Sequence, residues 1–273
     1  MRLVAVLARR SLARDLVGLV ALLLGIVLFE AVQAPVVDAI GGAAGIASLM
    51  ERIPPALQAF ARTRPEFMTA SSLSGYLSLG FTHPLYLVLA TSAVVGFAAR
   101  ALAGEMDRGT IQLALSRAVS RRQVYFSRLV GVVVIAVLVA VAGVIGLYAG
   151  YLYARPVGPF DVAHFLPLGV ATIALLWAAG GLALLGSAAA SSAGRVIGWG
   201  LAVFVAMYFI DYFAAIWRLV KPLEPLSLFN YYDPALALVE GRVPIANVLV
   251  LGAVGFVGAV AGLVVFARRD LPA

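Results

Sequence analysis

Groups that titrate, coordinate metal or attack a substrate are scarce here: thirteen acids, two histidines, one lysine and no cysteine among 273 residues. Zinc takes three or four ligands. His83 and His164 are isolated, each at the start of a long apolar run, and the lack of cysteine excludes disulfides and thiolate sites. A P-loop needs the lysine of G-x-x-x-x-G-K-[ST] to reach the β- and γ-phosphates. The only lysine, Lys221, precedes Pro222, so this chain does not supply that motif. No serine, histidine and acid fall together on one face. The chain reads as having no catalytic set, no metal site and no cofactor of its own.

Two stretches place polar groups where apolar ones are expected. Asp211 lies within "MYFIDYFAAIWRL", and Arg218 follows seven residues later, on the same face of a continuous helix. A carboxylate inside a membrane span is costly and usually faces a partner or a water-filled cavity. Asp211 therefore reads as a pair with Arg218, as a carboxylate satisfied by Tyr208 or Tyr212, or as a position on a substrate path. Glu30, near the outer end of the first apolar run, is expected to reach water.

The second stretch is "GEMDRGTIQLALSRAVSRRQ", residues 104–123, with four arginines and two acids between two hydrophobic runs. Gly104 and Gly109 interrupt the run before it. Thr110 can cap a short helix extending to Arg117, with Ile111, Ala114, Leu115 and Ala118 on one face. Glu105 and Asp107 precede that helix, where its dipole favours negative charge. Ser120 and Gln123 have capping-box spacing, with Val119 and Val124 placed as a hydrophobic staple. The stretch predicts the end of one span, a short helix, a sharp turn and a capped start of the next span. A connector needs only a few residues, so this reads as a rigid docking element.

The elements that position these groups follow from hydropathy. Apolar residues make up 63% and charged ones 12%, with mean hydropathy +1.03. Soluble domains hold roughly 45–50% apolar and about 25% charged residues. The bilayer is the natural solvent for such a chain, and runs of about twenty apolar residues suit helices crossing roughly 30 Å of hydrocarbon. We read an all-α polytopic membrane protein as one domain over residues 1–273, with spans near 16–33, 83–103, 124–153, 165–190, 196–219 and 244–266. With the N-terminus inside, 13 basic residues fall on the cytoplasmic side and seven outside, as the positive-inside rule asks. Both termini are then cytoplasmic, and the net charge of +7 reflects topology rather than a nucleic-acid partner. Arginine outnumbers lysine nineteen to one, which fits a GC-rich bacterial genome.

The segment 1–14 reads as an interfacial helix. "AVQAP" after the first run resembles a cleavage site, but the run is long, so it is expected to stay as a span. The outer stretch 34–82 is too long for a structureless loop. Leu49, Ile53, Leu57, Phe60 and Ala61 have near-helical spacing, and Pro54, Pro55 and Pro65 suit helix starts. Two or three short amphipathic surface helices are expected there, as a lid over the bundle or a gate that contacts substrate. Gly146 and Gly150 form a G-x-x-x-G, and Gly180, Gly181 and Gly186 crowd the fourth span, favouring close packing within the bundle.

The stretch 104–123 resembles the coupling-helix segment of type-2 ABC transporter permeases. That class includes drug exporters, polysaccharide exporters and the permease of the nitrous-oxide-reductase maturation system. Many members carry an acid-rich turn, Gly-Thr, an apolar helix, a Pro-Val-Ser step and paired basics. The matching residues are Glu105, Gly109, Thr110, Leu113, Leu115, Val119, Ser120, Arg121 and Arg122; Ala118 departs from the usual proline, which softens the turn. The resemblance implies a bacterial inner-membrane permease subunit, probing a groove on separate ATPase subunits with Glu105, Asp107, Arg108, Gly109, Thr110, Leu113, Ser120, Arg121 and Arg122. ATP and Mg would sit on those ATPase subunits. A second permease subunit, identical or paralogous, is implied, as are export and alternating access. A secondary transporter or a non-transporting scaffold is the rival reading. The former should show interrupted helices or repeats near the midplane, and neither is evident.

Overall fold

The computed structural model describes residues 2–14, 16–54, 73–111, 119–156 and 160–269. In chain order the helices are α1 (Arg2–Arg14), α2 (Leu16–Ala39), α3 (Gly42–Met50), α4 (Leu73–Thr82) and α5 (Pro84–Ala101). Then come α6 (Ala103–Asp107), α7 (Arg121–Ala154), α8 (Phe165–Ala189), α9 (Ala193–Ile216), α10 (Pro234–Glu240) and α11 (Ile245–Arg268). No strand occurs among the described residues. Among the described residues six helices are long and apolar enough to cross a membrane: α2, α5, α7, α8, α9 and α11. The protein is thus an all-α, six-span membrane protein. One end of the bundle gathers α1, α6, the start of α7 and the ends of α8 and α11. This is the arginine-rich end.

Lipid tails are as apolar as leucine, so span association depends on close packing rather than on expulsion of water. The glycines supply it. A methyl group at Gly146 of α7 would run into the Val27 carbonyl of α2, and one at Gly150 into that of Ala31. The G-x-x-x-G therefore works inside the bundle. On the other side, a Cβ at Gly258 of α11 would lie 2.8 Å from the Gly181 backbone of α8. Trp177 donates to the Gly252 carbonyl at 3.1 Å, and Tyr125 to that of Ala259 at 2.7 Å, fastening α8 and α7 to α11. At 34 residues, α7 is about 50 Å long and overshoots the hydrocarbon. By contrast α9 is peripheral: only Val196, Phe204 and Ala214 of its 24 residues are buried.

The outer stretch departs from expectation. Helix α3 ends at Met50, and Glu51 and Arg52 form a turn, so Leu49 and Ile53 do not share a helix. Leu57, Phe60, Ala61, Pro55 and Pro65 lie outside the described residues. Helix α4 is no surface helix: Leu73, Tyr76, Leu77 and Phe81 are buried, and it packs against α10 and α2. Helix α2 also continues through Pro35 to Ala39, past the end of the apolar run at Gln33.

Candidate functional site

The stretch after α5 breaks at Leu102, whose backbone (φ −122°, ψ −61°) leaves the helical region. Ser187 of α8 bridges the break. Its hydroxyl donates to the Ala99 carbonyl at 3.2 Å and accepts from the Ala103 N–H at 2.9 Å. The short α6 that follows has two sides. Ala103, Gly104, Glu105 and Met106 are buried, while Asp107, Arg108 and Gly109 are exposed.

Glu105 faces the bundle, not the surface. Its carboxylate accepts from Arg128 of α7 at 2.8 Å, and the two side chains are only 4% and 3% exposed. Arg128 also donates to the Leu7 carbonyl of α1 at 3.2 Å. A charged pair this buried persists only with close geometry and further hydrogen bonds, and here it joins α6, α7 and α1. Gly109 closes α6 with φ +66°, a left-handed conformation that favours glycine. Thr110 donates to the Glu105 carbonyl at 3.3 Å, and Ile111 is buried. Leu113, with Leu115, Arg117 and Ala118, lies outside the described residues.

The capping box forms at the start of α7. The Ser120 hydroxyl accepts from the Gln123 N–H at 3.2 Å, and the Gln123 carboxamide oxygen accepts from the Ser120 N–H at 2.9 Å. Val124 is fully buried, and Val119 packs on the core beside it. The paired arginines diverge. Arg121 donates to the carbonyls of Ala267 (3.3 Å) and Arg269 (2.6 Å) at the end of α11, while Arg122 is exposed. Arg269 in turn donates to Ala188 and Ala190 at the end of α8, at 2.9 and 2.7 Å. Each arginine satisfies carbonyls that a helix end leaves open.

Asp211 and Arg218 are not on one helical face. Helix α9 ends at Ile216, Trp217 is extended and Arg218 lies exposed in the turn beyond, so the seven-residue spacing loses its meaning. Asp211 is partly buried. Glu30 does not reach water: it is fully buried, against Gly80 of α4 and Gly146 of α7, and neither oxygen has a hydrogen-bond partner among the described residues. The return of α4 into the bundle encloses it. His83 caps α5, its Nδ1 accepting from the Leu85 N–H at 3.2 Å, and His164 contacts the Leu238 carbonyl at 2.7 Å. Among the described residues no three histidines or acids group around a metal-sized space.

Sequence reasoning missed Arg128, Arg269 and Ser187. Arg128 had a signal: it stands seven residues after Arg121, inside an apolar run where a lone charge needs a partner. Ser187 and Arg269 act on backbone carbonyls or amides, which no side-chain pattern advertises.

A family model described as ABC-2 family transporter protein matches residues 14–271. No curated protein matches the chain.

Proposed function

The chain belongs to the ABC-2 family of transporter proteins, and from that premise we propose that it is the membrane-spanning subunit of an ATP-driven exporter. Family membership makes it a permease component of an ABC transporter. The finer reading is that separate ATPase subunits bind ATP and Mg and dock at the arginine-rich end. Closure of their dimer would move the segment 104–123, and the bundle would alternate between inward- and outward-facing states.

The Glu105–Arg128 pair carries this reading. It presents Asp107, Arg108 and Gly109 outward while locking the other side of α6 to α7 and α1. A push on the exposed side is then handed to a helix that crosses the whole membrane. In this division of labour Asp107, Arg108, Gly109, Thr110, Leu113 and Ser120 meet the ATPase, and Glu105 and Arg121 hold the dock to the bundle. A second permease subunit, identical or paralogous, would cover the little-buried α9. The excess of basic residues supports a cytoplasmic arginine-rich end in a bacterial plasma membrane. Asp211 is a candidate for the translocation path; Arg218 is removed from it by the end of α9.

The test is a double variant, Asp107→Lys with Gly109→Pro, that leaves the buried Glu105 intact. It should insert at normal levels but lose co-purification with its ATPase, or lose stimulation of ATP turnover. Normal insertion with unchanged ATPase binding, hydrolysis and transport would show that the segment is only a loop.

A further inference from the structure

Arg122 and Arg268 take no part in the carbonyl ties. Both are exposed, and neither makes a hydrogen bond or ion pair with another described residue. They flank a groove of about 350 Å³ lined also by Phe126, Leu263, Val264 and Ala267. Arg122 is the second residue of α7 and Arg268 the last of α11. Their neighbour Arg121, bonded to the Ala267 and Arg269 carbonyls, holds the two helix ends side by side.

The groove is graded along the membrane normal. Phe126 lies four residues inward from Arg122 and Val264 four residues inward from Arg268, one turn deeper on the same faces. Both are well exposed, at 46% and 43%. The charges therefore sit at the ends of two spans, at headgroup depth, and the apolar floor lies where acyl chains begin. Guanidinium groups are suited to phosphate oxygens because they donate two parallel hydrogen bonds. A soluble anion would use the arginines and leave the floor bare. An uncharged lipid would use the floor and leave two cations unmatched.

We propose that this groove binds an anionic phospholipid of the leaflet at the arginine-rich end, its phosphate between Arg122 and Arg268 and an acyl chain over Phe126 and Val264. The site depends on the membrane-spanning fold and stands apart from ATPase docking.

The chain has no cysteine, so Val264→Cys gives a single labelling position on the full-length permease. With a fluorophore there, the protein is reconstituted in phosphatidylcholine nanodiscs with nitroxide-chain phosphatidylglycerol or nitroxide-chain phosphatidylcholine. Phosphatidylglycerol should quench at a several-fold lower mole fraction, since each arginine near an anionic surface is worth about fivefold. A label at Leu249→Cys, on the same helix far from the arginines, should show no preference. Arg122→Gln with Arg268→Gln should bring the two lipids to parity at position 264, and Arg122→Lys with Arg268→Lys should keep the preference. Parity in the parent, or a preference that survives the glutamine pair, overturns the proposal. Quenching by neither lipid would show that a protein surface covers the groove, and overturns it too. ATPase binding by the glutamine pair separates the readings: a loss of ATPase binding with the lipid preference intact assigns Arg122 to the dock and refutes the lipid site.

Discussion

Replacing Arg128 with methionine takes the Arg128 cation away from the buried Glu105 carboxylate. The pair is 2.8 Å long and both side chains are at least 96% buried by the chain itself, since they are 3% and 4% exposed. Removing one partner of such a pair costs about 3–5 kcal/mol, because the other charge stays desolvated. The Leu7 carbonyl also loses its donor. Glu105→Leu should cost a similar amount by taking the carboxylate away from the buried guanidinium. The double variant Glu105→Leu with Arg128→Met removes both charges and should lie within about 1–2 kcal/mol of the parent, as apolar replacements of buried pairs often do. The double-mutant cycle should therefore give a coupling of roughly 3 kcal/mol or more, at the upper end for contacting residues. Equilibrium unfolding in mixed micelles of mild detergent and dodecyl sulfate, followed by tryptophan fluorescence, measures all four proteins. Two single variants that each cost less than about 1 kcal/mol, and add without coupling, would refute the claim that this pair anchors α6.

Other outcomes follow from the same geometry. Ser120→Cys should react with a membrane-impermeant thiol reagent only from the cytoplasmic side, at a cost of about 1 kcal/mol for the lost cap; labelling from outside would invert the topology. Asp211→Asn should reduce membrane yield or transport more than Asp161→Asn, because Asp161 is exposed and caps a turn through the Ala163 N–H, a role asparagine can fill. Equal, negligible effects would make Asp211 a surface group. Gly146→Leu should destabilise by at least about 1–3 kcal/mol through overpacking against α2. Gly169→Leu, where a Cβ has open space, should be tolerated, and equal effects in a thermal-stability assay would contradict the α2–α7 packing.

The six spans were legible because a bilayer imposes a length, and the apolar runs met it. The start of α7 was legible because Ser120 and Gln123 act within four residues of each other. What depends on the return of distant segments was not. Glu30 looks wet in the sequence and is sealed only because α4 folds back beside it. Arg128 counts as one more cytoplasmic charge until α6 brings Glu105 to it. The end of α9 at Ile216 also carried no glycine or proline signal, so Arg218 was placed on a helix that had already stopped. The outlying position of α9 was hidden for a different reason: an apolar face against lipid and one against protein have the same composition.

The arginine ties divide the molecule mechanically. Arg121 fastens the first turn of α7 to the last carbonyls of α11, and Arg269 fastens that same terminus to the end of α8. Three spans are thus riveted in series at one end. Helix α9 follows these spans through Ala190, Ser191 and Ser192, packs on α5 and α8, and buries only three of its own residues. A tied group of spans and a peripheral one are therefore joined in one chain, and the boundary between them is the short connection after α8.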